Sequence, residues 1–227
     1  MATVPPPPRT ALLAGATGLV GRELLQLLLD SDRYLRVHVL VRGASRAPAP
    51  HAKLTLHQVA FAHLEQALPK VDDAFIALGT TIKIAGSELA FRAVDYAAVL
   101  ATAVAAKAAG ASRLAVVSAL GADAGSRVFY NRVKGEMQAA VAALEFDTTV
   151  FAQPSLLLGD RGALGQPQRS GEVWATRLLG PVMGLMPRGV RPIQARAVAQ
   201  AMLDAVLSGG KGVRVLDSAG MQSAHGR

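Results

Sequence analysis

The stretch Ala11-Leu12-Leu13-Ala14-Gly15-Ala16-Thr17-Gly18-Leu19-Val20-Gly21 decides the fold. A short apolar run ends at a glycine, two more glycines follow at three-residue spacing, and an amphipathic pattern continues to about Leu29. This reads as a buried strand, a tight turn and a helix. A helix N-terminus gathers unpaired backbone N–H groups and the positive end of the helix dipole, which together suit a pyrophosphate. Gly15 permits a sharp exit from the strand, Gly18 leaves no Cβ between backbone and phosphate, and Gly21 allows the helix to pack closely. The spacing is G-x-x-G-x-x-G, a variant of the commoner G-x-G-x-x-G. Gly15, Thr17, Gly18, Leu19, Val20 and Gly21 are therefore candidate contacts for a dinucleotide.

Outward from this turn, strand and helix patterns alternate, which predicts an α/β fold with a doubly wound parallel sheet and helices on both faces. Leu35–Val41, Ala74–Leu78, Arg113–Val117, Thr148–Phe151 and Val213–Leu216 read as strands, with a weaker one near Leu56–Val59. Helices are expected from Ser87 to Ala109, capped by Gly110, from Val128 to Leu144, and from Ala197 to Leu207. The expected organisation is a flexible proline-rich arm over 1–9 and one domain over 10–220. Within that domain 155–196 is an irregular substrate-side segment, and 221–227 is a frayed tail.

Composition narrows the function classes. The chain has 227 residues, 51% hydrophobic and 18% charged, which excludes a disordered chain and suits a sheet covered on both faces. There is no cysteine, so disulfides and thiolate chemistry are excluded. The five histidines show no ligand spacing, and no metal site is expected. A net charge of +8 is spread without a basic stripe or aromatic platform, so no nucleic-acid partner is expected. The N-terminus lacks the apolar core of a signal peptide, and the most apolar run, Ala97–Ala109, is short and carries Lys107. A soluble, cytoplasmic protein with no membrane partner is expected, with a small-molecule substrate and room for homo-oligomers.

Two further features carry chemistry. Arg42 ends the second strand about twenty residues after the glycine turn, where a carboxylate would favour an adenosine 2′-hydroxyl and an arginine favours a 2′-phosphate. NADP(H) is thus expected over NAD(H), with Arg46 as a second cation. Tyr130 and Lys134 lie one helical turn apart on one face. An ammonium beside a phenol favours the phenolate, so Tyr130 can exchange a proton with a substrate oxygen. Ser118, at the mouth of an earlier strand, is placed to hold a carbonyl against it.

These residues fall in an order that resembles the short-chain dehydrogenase/reductase superfamily, in its atypical branch, from Thr10 to about Leu216. Leu78-Gly79-Thr80-Thr81, Ala85-Gly86, Val94-Asp95, Gly121-Ala122-Asp123 and Val133-Lys134-Gly135-Glu136 resemble more narrowly the Tat-interacting oxidoreductase family and its bacterial relatives. The resemblance implies a Rossmann-type fold and an NADPH-dependent oxidoreductase acting on a carbonyl or alcohol, with Ser118, Tyr130 and Lys134 as catalytic residues. It implies that Leu78, Gly79, Thr80 and Thr81 line the cofactor, that Lys134 also reaches the nicotinamide ribose, and that Pro154, Ser155 and Leu157 border the nicotinamide. The alternatives are an NADPH-binding redox sensor without turnover and a nucleotide-sugar epimerase or dehydratase. The chain departs from the pattern at Gln153, where relatives often carry arginine, at Ala60, in place of an acid near the adenine, and at Asp95, in place of an asparagine.

Other features read plainly. Asp72-Asp73 is expected to face water before its strand. Asp160-Arg161 reads as a surface ion pair, and Trp174, Leu178, Leu179 and Met183 read as core packing.

Overall fold

A computed structural model describes residues 7–43, 48–61, 64, 68–158, 187 and 189–225. Its strands are β1 (Arg9–Ala14), β2 (Tyr34–Val41), β3 (Leu54–Gln58), β4 (Asp73–Ile76), β5 (Arg113–Val117), β6 (Thr148–Gln153), β7 (Leu157–Leu158), β8 (Ile193–Gln194) and β9 (Gly212–Asp217). Seven of them form one parallel sheet in the order β3-β2-β1-β4-β5-β6-β9, and β7 and β8 form a separate parallel pair. The chain winds outward from β1 to β3 and then returns to the other side of β1 with β4. Strand order therefore reverses between β1 and β4, and a crevice at their C-terminal ends is the ligand position such sheets provide.

The helices are α1 (Leu19–Asp30), α2 (Ile82–Ala85), α3 (Glu88–Arg92), α4 (Val99–Ala108), α5 (Phe129–Ala142), α6 (Ala195–Leu207) and α7 (Ser218–His225). A π-helical turn, Ala93–Ala98, joins α3 to α4, so the expected long helix is continuous over Glu88–Ala108. Side chains alternate across the sheet. Leu13, Val37, Val39 and Phe75 meet Leu24 and Leu28 of α1 and Val198 and Met202 of α6 on one face. Leu12, Leu40, Ile76 and Val116 meet Val99 and Ala103 of α4 and Met137 and Val141 of α5 on the other. The doubly wound Rossmann-type α/β fold is thus present. The Glu88–Ala108 helix is by length and composition apolar enough to cross a membrane, although no single run in the sequence signalled it. In the fold Val99, Ala103 and Ala106 of this helix lie in the core, while Leu89 and Val104 are exposed.

Several local expectations are corrected. Asp73 does not face water: it is wholly buried at the start of β4 and accepts hydrogen bonds from Arg9, Arg113 and the Tyr34 hydroxyl. Two guanidinium groups and a phenol replace the water this carboxylate gives up. Its neighbour Asp72 accepts from the Thr10 backbone N–H at 2.8 Å. Arg9, assigned to the loose arm, opens β1 instead, because its guanidinium is held by Asp73. The tail from 221 is not frayed through its first residues. Residues 218–225 are helical, and Met221 is buried against the α1–α6 face. The expectations for the arm at 1–6, for Arg46, Asp160, Arg161, Trp174, Leu178, Leu179 and Met183, and for most of 155–196 lie outside the described residues.

Candidate active site

The crevice floor is backbone packed on backbone. Gly15 has φ +90°, and a Cβ there would lie 2.5 Å from the carbonyl carbon and oxygen of Ala77, at the end of β4. A Cβ at Gly21 would lie 1.9 Å from Gly15 O, so Gly21 is required by the approach of α1 to the turn itself rather than to the sheet. Gly18 differs: a Cβ there would meet Gly15 O at 3.4 Å, an ordinary contact. The protein's own packing excludes side chains at Gly15 and Gly21 and leaves space at Gly18. Gly18 is also the N-cap of α1, with no side-chain cap and no acidic residue in the first turn. The first N–H groups of α1 are thereby left for an anion, and a dinucleotide pyrophosphate fits that cradle. Leu19 and Val20 turn their side chains to the core, which leaves their backbone for a ligand, while Thr17 is exposed at the tip of the turn.

Arg42 is exposed at the C-terminal end of β2, the strand beside β1. On the far side of the crevice the loop after β4 is pinned from below. Thr80 donates its backbone N–H to Asp95 Oδ2 at 2.8 Å, and Thr81 Oγ1 accepts from Ile84 N at 3.1 Å as the cap of α2. The Thr81 hydroxyl is therefore engaged in the fold. Leu78 packs against the α4–α5 face.

Asp95 lies in the π turn and is 1% exposed. Its Oδ1 is 2.8 Å from Nζ of Lys134, which is itself 3% exposed. A Cβ at exposed Gly79 would lie 3.4 Å from Asp95 Oδ1 and 4.0 Å from Lys134 Nζ, so the ion pair sits directly under the crevice wall. Beside it Arg92 pairs with Glu136, and its guanidinium lies 4.6 Å from the centre of the Tyr96 ring.

Ser118 follows β5, buried, with its N–H bonded to Ala152 O at 2.7 Å. Its Oγ accepts from Gln138 Nε2 at 2.6 Å, and Gln153 Nε2 lies 3.4 Å from Gln138 Oε1. Tyr130 opens α5 half-buried, its ring 5.4 Å from that of Phe91. The first turns of α5 thus set Tyr130, Lys134 and Gln138 at successive four-residue intervals along one face. Among the described residues no hydrogen bond joins the Tyr130 hydroxyl to Ser118 or Lys134, which are held by Gln138 and Asp95.

Pro154 O accepts from Leu120 N at 3.0 Å, which links the loops after β5 and β6. Ser155 donates its hydroxyl to Arg191 O and lies 2.9 Å from the Ser218 hydroxyl, while Leu157 pairs with Ile193. These side chains anchor the C-terminal segment. Gln138 and Phe91 escaped the sequence reading. Gln138 had a signal, since it lies one turn beyond Lys134 on the same face; Phe91 had none beyond its apolarity.

The NAD(P)H-binding family model matches residues 15–157. Protein HTATIP2 of Rattus norvegicus is 31% identical over 90% of this chain and 84% of its own length. Protein FMP52, mitochondrial, of Eremothecium gossypii is 35% identical over 66% of this chain and 67% of its own length. Among solved structures, MoeE5 in complex with UDP-glucose and NAD superposes with TM-score 0.66 at 15% identity, covering 94% of this chain and 80% of that one. The cytoplasmic expectation is corrected by the relatives' names: further fungal relatives are also called mitochondrial, and cysteine usage does not define a compartment. The chain belongs to the NAD(P)H-binding family, as an atypical short-chain dehydrogenase/reductase with a Rossmann fold.

Proposed function

We propose that the protein is an NADPH-dependent oxidoreductase that interconverts a small carbonyl compound and its alcohol. The observation that carries this reading is the placement of Tyr130 and Lys134 on one face of α5, with Gln138 of the same face holding Ser118 at the mouth of β5. NADPH, when bound, supplies the hydride from its nicotinamide. The chain's residues do the rest. The α1 N-terminus at Gly18 holds the pyrophosphate, and Arg42 reads the 2′-phosphate through its guanidinium. Tyr130 donates its hydroxyl proton to the carbonyl oxygen as that oxygen gains negative charge. Ser118 Oγ accepts from Gln138, which leaves its own O–H free to donate to the same oxygen. Lys134 supplies positive charge beside the phenol and holds the ribose.

Replacing Tyr130 with Phe tests the reading. Turnover of a carbonyl substrate is expected to fall about 10²- to 10⁴-fold, the usual contribution of general acid–base catalysis, with NADPH affinity retained. Equal turnover in Tyr130→Phe removes the assignment. Tight binding by the wild-type protein without turnover of any carbonyl favours a redox sensor.

A further inference from the structure

The Lys134–Asp95 pair is more than the fold requires. Burying two charges costs several kcal/mol, and an apolar pair of similar volume holds packed helices about as well. An asparagine at 95 would also accept the Thr80 N–H, because an amide oxygen serves that donor. Only a carboxylate both accepts from Thr80 and balances the Lys134 ammonium. No substitute is at hand in the neighbouring acid: Glu136 is taken by Arg92. The position is built for the task. The π turn interrupts regular helix at Ala93–Ala98, a device common at functional sites, and Asp95 points inward from it. One carboxylate therefore touches two segments that meet only in space, the loop after β4 and the first turns of α5.

We propose that Asp95 is a positioning residue, which fixes the Lys134 ammonium against the Gly79-Thr80 backbone and so holds the ribose end of the crevice in register with Tyr130. Its effect on turnover rests on the proposed function; its hold on Lys134 does not.

Asp95→Asn separates the two contacts, since the amide oxygen still accepts from Thr80 while the counter-charge is gone. Three quantities are measured: Lys134 reductive methylation by mass spectrometry with and without NADPH, Thr80 amide hydrogen exchange, and steady-state kinetics. In Asp95→Asn, Lys134 is expected to be methylated several-fold faster, with Thr80 exchange unchanged. The kcat is expected to fall about tenfold or more with carbonyl KM nearly constant, the mark of a contact needed in the transition state rather than in binding. Asp95→Glu keeps the charge balance but adds a methylene against Gly79, and kcat is expected to fall there too. Unaltered Lys134 reactivity in Asp95→Asn overturns the proposal, as does wild-type kcat in both variants. If the wild-type protein reduces no carbonyl, the proposed function fails and labelling alone judges this inference. NADPH shielding of Lys134 in the wild type but not in Asp95→Asn then supports it, and equal shielding overturns it.

Discussion

Asp73 and Arg113 stand opposite each other at the first residues of adjacent strands, joined by hydrogen bonds of 2.7 and 2.9 Å. Arg9 approaches the same carboxylate from β1 and Tyr34 from β2, so one buried acid gathers the N-terminal ends of four neighbouring strands. Burial and the adjacent carboxylate push the Tyr34 hydroxyl far above its ordinary ionisation range, so it stays a donor. Asp73→Ala leaves two guanidinium groups without their shared partner. A loss of about 3–5 kcal/mol is expected, the cost of breaking a buried ion pair from one side. Urea denaturation of Asp73→Ala checks it, and a loss within about 0.5 kcal/mol, the scale of surface substitutions, would show the cluster to be idle.

His38 and His57 give the fold an acid limit. Their Nδ1 and Nε2 atoms lie 2.8 Å apart on β2 and β3. Burial, then the neighbouring His57 and Arg36, push His38 down to about 4, and burial also lowers His57. The unfolded chain takes up protons near pH 6.5 while folded His38 resists down to about 4. The stability is fully present above pH 6.5 and declines as pH falls towards 4, on the order of 2–3 kcal/mol in all. Denaturation curves across that window are expected to show the slope, and His38→Phe to flatten it. An unchanged slope in the variant assigns the acid loss elsewhere.

The glycine turn separates folding from binding. Gly21→Ala places a methyl inside the contact distance of Gly15 O and is expected to cost about 3 kcal/mol or more of stability. Gly18→Ala is expected to fold normally, because its Cβ meets only an ordinary contact, yet to bind NADPH at least about tenfold more weakly, a loss near 1.4 kcal/mol. Fluorescence titration beside a melting curve distinguishes the two. Unimpaired NADPH binding by Gly18→Ala would move the pyrophosphate away from this turn.

Cofactor preference is expected to reside in Arg42, exposed at the end of β2. Arg42→Ala should weaken NADPH about tenfold while leaving NADH unchanged, because only the former carries the 2′-phosphate. Equal losses for both cofactors would make Arg42 a general electrostatic contributor rather than the reader of that phosphate.

The frame of this fold was legible because its signals are local. The run Ala11–Ala14 before Gly15, the period-two strands and the Tyr130–Lys134 spacing each depend on residues close in the chain, and with right-handed crossovers a parallel sheet covered on both faces must reverse its strand order. What escaped depends on distant partners. Nothing in Asp72-Asp73 shows that Arg9, Tyr34 and Arg113 converge on the second acid, so it read as solvent-facing. Asp95 stood out as a departure from the family pattern, in place of an asparagine, but its carboxylate gains meaning only from Lys134 and Thr80, distant in the chain in both directions. The Met221 helix was read as loose because its polar, glycine-containing sequence is weak alone and is held by burial against α1 and α6. The Ser118 hydroxyl looked wholly free for a substrate, and Gln138 takes up one of its acceptor positions.

The short pair of β7 and β8 has a consequence beyond its size. Leu157 lies beside Ile193 and Leu158 beside Gln194, while Ser155 reaches both Arg191 and Ser218. Three places far apart in the chain are thus knotted at one point beyond β6, and a change that loosens Ser155 slackens all of them together.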